Sequence, residues 1–155
     1  GRSSVFAVAT VVAFVVGFFV LLTYGLVSPI DYLFLVLLTT VLGVAYVSIG
    51  VALSASIRTR SRAAAVAVGV FFFFKFLWDT SLVPRVVVYA VRRDMSVPGW
   101  YEYLVALGPN VAYSNVAGGY VGSFGNVEMF SVAVLAFWVV IPLLFGWRVF
   151  EKSDL

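Results

Sequence analysis

Four long stretches of this chain run almost uninterrupted through apolar side chains, and that constrains its fold more than any motif does. They extend from about Val5 to Val27, Tyr32 to Ile57, Ala63 to Val83 and Phe130 to Val149. About 20 helical residues at 1.5 Å each cross the ~30 Å hydrocarbon layer of a bilayer. The runs are continuously apolar, without the alternation of a barrel strand, so each reads as a helix whose backbone bonds close internally. A soluble domain of this size needs more polar surface than a chain that is 63% hydrophobic and 11% charged can supply. The expected fold is an all-α integral membrane protein: a single transmembrane domain over 1–155, with four transmembrane helices. An external helical hairpin, re-entrant or interfacial, is expected between the third and fourth helices, within 84–129.

The remaining composition closes several classes. There is no cysteine and no histidine, which removes disulfides, thiolate chemistry and imidazole metal sites. No cofactor is expected. The net charge of +3 comes from few basic residues without an aromatic-interleaved patch, so nucleic acid is not an expected partner. The chain opens on Gly1 rather than Met, with no cleavable signal, and reads as a fragment of something longer.

Charge sets the expected orientation. Arg58, Arg60 and Arg62 crowd a tight connection between the second and third spans, and such clusters are retained on the cytoplasmic side. Four crossings then place both ends in the cytoplasm of a multi-pass plasma-membrane protein, with Arg2, Arg148 and Lys152 inside. Arg85, Arg92 and Arg93 fall outside, in a longer loop where the rule weakens. Along the second span Ser48, Ala52 and Ser56 recur every four residues, a ridge of small side chains that lets helices approach closely in lipid.

Lys75 sits deep in the third span. Twelve residues from Ala63 at 1.5 Å put it about 18 Å from the inner boundary, past the midplane. Asp79 follows one turn later, at the i,i+4 spacing of a helix ion pair. A charge at that depth costs several kcal/mol unless paired or hydrated. Two readings stay open: Lys75 and Asp79 line a translocation route, or they form an intramembrane pair with the lysine reaching outward past Phe74 and Phe76.

The region 84–129 is external by this topology yet too apolar for a plain loop. Val86 to Val91 is too short to cross. Tyr101 to Val121 approaches spanning length but is interrupted by Gly108-Pro109, and a helix cannot continue through that proline. Two half-helices meeting there would form a hairpin dipping into the outer leaflet, with Gly108, Pro109 and Tyr113 about its apex. The alternative is a cap lying flat at the interface, anchored by Trp100 and the tyrosines. Gly118-Gly119 and the stretch from Gly122 to Gly125 are expected to link flexibly into the last helix.

Three motifs in order carry a resemblance. Ser54-Ala55-Ser56-Ile57-Arg58-Thr59-Arg60-Ser61-Arg62-Ala63-Ala64-Ala65 resembles the loop between the fourth and fifth helices of type-2 ABC transporter permeases. The segment 107-LGPNVAYSNV-116 is similar to the external hairpin of that family, and 147-WRVFEKSDL-155 to its closing tail. Within the family the likeness is to permeases of nitrous-oxide-reductase maturation and related prokaryotic exporters, as the last four of six helices. The resemblance implies a permease that pairs with a second permease half, as homo- or heterodimer, and with a separate ATP-binding subunit. This chain has no phosphate-binding loop of the G-x-x-x-x-G-K-[ST] type, so ATP hydrolysis would belong to that partner. The family's coupling helix is not among the matched segments.

The expected function is therefore the transmembrane subunit of an ATP-driven exporter, without a catalytic site of its own. The alternative is a non-transporting membrane scaffold or assembly partner. An intramembrane enzyme would have to build its chemistry from carboxylates, Lys75 and hydroxyls alone.

Overall fold

A computed structural model describes residues 2–23, 28–94 and 96–153. The expected end of the first span at Val27, and the expected cytoplasmic placement of Leu155, lie outside the described residues. Every regular element among them is helical. Helix α1 covers Arg2–Thr23, α2 Pro29–Ser56 and α3 Arg60–Phe72, which continues as a wider π-helical turn over Phe73–Trp78. Then follow α4 (Leu82–Arg92), α5 (Tyr101–Ala106), α6 (Pro109–Val121) and α7 (Asn126–Ser153). Three helices among the described residues are long and apolar enough to cross a membrane: Pro29–Ser56, Arg60–Trp78 and Asn126–Val149.

The chain divides into two compact units, residues 1–40 and 41–155. Within the first, the Tyr32 hydroxyl donates to the Phe14 carbonyl, and the Phe18 and Tyr32 rings meet at 4.9 Å. Gly17 allows this approach, since a Cβ there would lie 3.3 Å from the Tyr32 hydroxyl.

In the second unit the small residues of α2 do what their spacing suggests. Ala45 and Ser48 are fully buried, and Gly146 of α7 comes so close to Ala52 that a Cβ would lie 3.5 Å from its Cα. The hydroxyls on this face close onto their own helix, Ser48 on the Val44 carbonyl (2.7 Å) and Ser56 on that of Ala52 (2.8 Å). Polar atoms satisfied this way do not need water, which a bilayer interior does not provide.

Besides shifts of a few residues at the ends of α2 and α7, three features differ from the sequence expectation. The third apolar run does not continue as one helix to Val83. After the π turn, Asp79–Ser81 form a turn in which Ser81 adopts a left-handed conformation (φ 63°), and Leu82 and Val83 already belong to α4. Gly118 and Gly119 are helical, not a flexible link. Gly119 is buried against the next helix, and a Cβ there would lie 2.6 Å from Glu128 Cγ. This contact brings α6 against α7, and only Gly122 to Gly125 form the connection between them. Finally, α3 begins at Arg60 rather than Ala63, so three more residues separate Lys75 from the start of its helix.

Candidate functional site

The site lies at the end of α3 remote from the arginine loop, where α5 and α6 meet. Proline at the first position of α6 has no N–H to donate, which suits a helix start and forbids a continuous helix from α5. The break is Leu107-Gly108. Two tryptophans hold it from either side. Trp78, in the π turn, donates its indole N–H to the Val105 carbonyl at 2.9 Å, and Trp138 of α7 donates to the Leu107 carbonyl at 2.9 Å. The Leu107 carbonyl lies past the end of α5 where no helical turn takes it up, so the Trp138 indole supplies its donor, while the Val105 carbonyl accepts from the Gly108 N–H (3.2 Å) as well as from Trp78.

Gly108 is required here for space, not for backbone freedom. Its φ of −70° and ψ of 133° suit any residue, but a Cβ would lie 2.4 Å from Cδ1 of Trp78. The indole lies directly against the chain at that point. Beside it is an apolar cavity of about 540 Å³ whose walls include Phe73, Phe74, Leu107, Phe130 and Phe137. Phe74 is buried, with its ring 5.2 Å from that of Trp138.

Polar groups collect under the same break. Lys75 Nζ lies 3.4 Å from Asp79 Oδ2; the lysine side chain is 54% exposed and the aspartate 19%. The other carboxylate oxygen, Asp79 Oδ1, is buried without a hydrogen-bond partner, and so are the Tyr46 hydroxyl and Asn110 Nδ2. The Tyr46 hydroxyl sits beside the Asn110 side chain and within electrostatic reach of Asp79, yet no donor and acceptor among the three meet in bonding geometry. Tyr46 comes from α2, Asp79 follows the π turn, and Asn110 is in the first turn of α6. Sequence reasoning paired Lys75 with Asp79 but missed Tyr46 and Asn110, because nothing in their local pattern reveals a contact across three elements. Deeper in α6, Asn115 donates to the buried Ser131 hydroxyl of α7 at 3.0 Å. Tyr113 is half-buried on α6.

Arg58 and Arg60 lie at the other end, exposed, lining with Ser54, Gly50 and Ala64 a groove between α2 and α3; Arg62 is exposed nearby. Thus the structure separates the residues singled out from the sequence into two places. Lys75, Asp79, Gly108 and Pro109 gather at one end of α3, and the arginines at its start.

A profile of ABC-2 family transporter proteins matches the chain over residues 1–155. The chain belongs to the ABC-2 family of transporter membrane proteins. No curated protein and no solved structure is detectably similar to it. Membership makes this ABC-2 protein a multi-pass transmembrane subunit of an ABC transporter, of a kind that pairs with ATP-binding subunits and is generally non-catalytic itself. No cluster able to hold a metal ion occurs among the described residues of this ABC-2 protein.

Proposed function

We propose that this chain forms part of the translocation path of an ATP-driven exporter, with the α5–α6 hairpin closing the path's outer end. Four helices, α1 included, cross the membrane as one permease domain, and both chain ends face the cytoplasm. The arginine loop marks the cytoplasmic end, where a separate subunit hydrolyses ATP, and a second permease half, identical or different, completes the path. The observation that carries the reading is the pinned break at Gly108-Pro109. A helix interrupted there is fastened by Trp78 and Trp138 to two long apolar helices, α3 and α7. Relative movement of α3 and α7 would therefore act on the hairpin directly.

Lys75 and Asp79 serve this arrangement as a structural pair: the carboxylate is held near the hairpin and the lysine neutralises it. The likeness to permeases of nitrous-oxide-reductase maturation rests on the three sequence motifs.

Single cysteines test the topology in a chain that has none of its own. Cysteines at Tyr103 and Asn115 are expected to react with an impermeant reagent from outside intact cells, and one at Thr59 only after the cells are opened. Labelling of Asn115 from the cytoplasm alone would make α6 part of a further crossing and end the hairpin reading.

A further inference from the structure

Helix α4 has three distinct faces. Pro84 and Val88 are buried against the protein. Leu82, Val86 and Tyr89, spaced one turn apart on the other side, are 56%, 66% and 56% exposed. Arg85 and Arg92, two turns apart, share the flank between them. Eleven residues make a helix of about 16 Å, too short to cross a bilayer. In a membrane protein, an exposed apolar face bordered by arginines matches a helix lying at the level of the headgroups, apolar side in the acyl chains.

On the arginine flank is a cavity of about 360 Å³, lined by Arg85, Val88, Asp94, Ser96, Val97 and Tyr101. It presents both signs of charge. The Arg85 guanidinium has no hydrogen-bond or ion-pair partner among the described residues. Asp94 is exposed, and its Oδ1 accepts from Ser96 Oγ at 2.6 Å and from Ser96 N at 3.0 Å. Its Oδ2 has only Arg92 Nε, at 3.9 Å, beyond hydrogen-bond length. The two Ser96 bonds, side chain first, hold the carboxyl below its ordinary pKa, so it stays charged at neutral pH. The Tyr101 hydroxyl is buried without a partner at the same place. One wall therefore offers an unpaired cation and another an anion with an oxygen that accepts no hydrogen bond, beside two valines.

We infer that this cavity binds the zwitterionic headgroup of phosphatidylethanolamine, with Arg85 on the phosphate and Asp94 Oδ2 on the ammonium. The choice among lipids follows from the donors. A primary ammonium gives Asp94 three N–H groups; the trimethylammonium of phosphatidylcholine gives none. Phosphatidylglycerol brings the phosphate for Arg85 but has no cation for Asp94. The lipid's acyl chains would continue along the exposed face formed by Leu82, Val86 and Tyr89. Bilayer lipid is the source because that face and the cavity share one helix. The site serves equally in either leaflet, so its failure leaves the hairpin reading untouched, and the reverse.

The test is lipid competition. The protein, purified in detergent and stripped of lipid, is offered equal amounts of phosphatidylethanolamine, phosphatidylcholine and phosphatidylglycerol, and bound lipid is counted by native mass spectrometry. Phosphatidylethanolamine is expected to be retained about fivefold over the others, the worth of one exposed charge-assisted contact. Arg85→Gln and Asp94→Asn should each bring the ratio near one. Both side chains are exposed, so the variants should fold, and unchanged unfolding midpoints confirm that they do. Arg93→Gln removes the same charge beside the helix from an exposed side chain that neither lines the cavity nor pairs with Asp94, and should preserve the ratio. Equal retention of all three lipids overturns the inference, as does enrichment of phosphatidylglycerol, or loss of the preference in Arg93→Gln. Displacement of the lipid by millimolar free phosphoethanolamine overturns the lipid source in favour of a soluble zwitterion.

Discussion

The two ends of α3 solve the problem of polar atoms in a membrane in opposite ways. At the start of α3, beside the α2–α7 contact, helices are regular, side chains are small, and hydroxyls such as Ser48 and Ser56 fold back onto their own helix. At the far end the backbone widens into a π turn, breaks at Ser81 and again at Gly108, and leaves Tyr46, Asp79 and Asn110 with unpaired buried atoms. Close packing of small residues permits essentially one arrangement, because any separation forfeits the contact. Unpaired polar groups under a short hairpin have bonds to gain from a shift of position. The regular end is the scaffold, and the irregular end is where an alternative arrangement can be reached at low cost.

Two glycines break that comparison most sharply. Gly108→Ala places a methyl 2.4 Å from the Trp78 indole and should destabilise by about 3 kcal/mol, the upper range for overpacking. Gly146→Ala meets Val51 Cγ1 at 3.3 Å, and the better helix propensity of alanine offsets that crowding, so its effect should stay below about 0.5 kcal/mol. Thermal unfolding in detergent reads both. Equal shifts would mean that the two ends are equally tightly packed.

The ion pair comes next. Lys75→Leu or Asp79→Leu alone leaves one charge unmatched, expected to cost about 1–2 kcal/mol after allowing for the exposed lysine, while the double change costs less than either. Folded yield in the membrane fraction measures the order. A double variant worse than both singles would take Lys75 and Asp79 out of a purely structural role.

A smaller effect is expected from Trp138→Phe, which keeps the ring but removes the bond to the Leu107 carbonyl, at about 0.6–1.5 kcal/mol. Trp78→Phe should match it, and combining each with Gly108→Ala separates them. Trp78→Phe should couple to the glycine that it touches, and Trp138→Phe should add independently.

The smallest effect lies outside the helices that could cross the membrane. The Asp94 carboxyl should titrate below its ordinary 3.8 in carboxyl-carbon NMR and return toward it in Ser96→Ala. A depressed carboxylate stabilises its loop above the ordinary pKa and loses that contribution as the pH falls through the lowered value. The loop should therefore loosen only in strong acid.

Much of this architecture was legible in the chain. Length and continuity of the apolar runs identified the long helices, because a backbone in lipid must close its own hydrogen bonds. Pro109 marked the break between α5 and α6, since the missing N–H is a local fact. The spacing of Lys75 and Asp79 identified their contact for the same reason. Less was legible where the cause is remote. Gly118 and Gly119 suggested a loose linker, whereas the approach of Glu128 and Phe124 makes Gly119 a packing surface. Nothing local marked the π turn that ends α3 before Val83, or the helical character of 82–92.

By itself, then, the sequence determined that this chain lives in a membrane, where most of its helices lie, and that a helix must stop before Pro109. Those properties depend on neighbours within a turn or two and on the medium. Only the tertiary structure decided that Trp78 and Trp138 grip the Val105 and Leu107 carbonyls, that Tyr46 and Asn110 join Asp79, and that Arg85 and Asp94 face one cavity. Each of these joins residues from different elements, and what brings them together is the packing of whole helices, which no short stretch of the chain encodes.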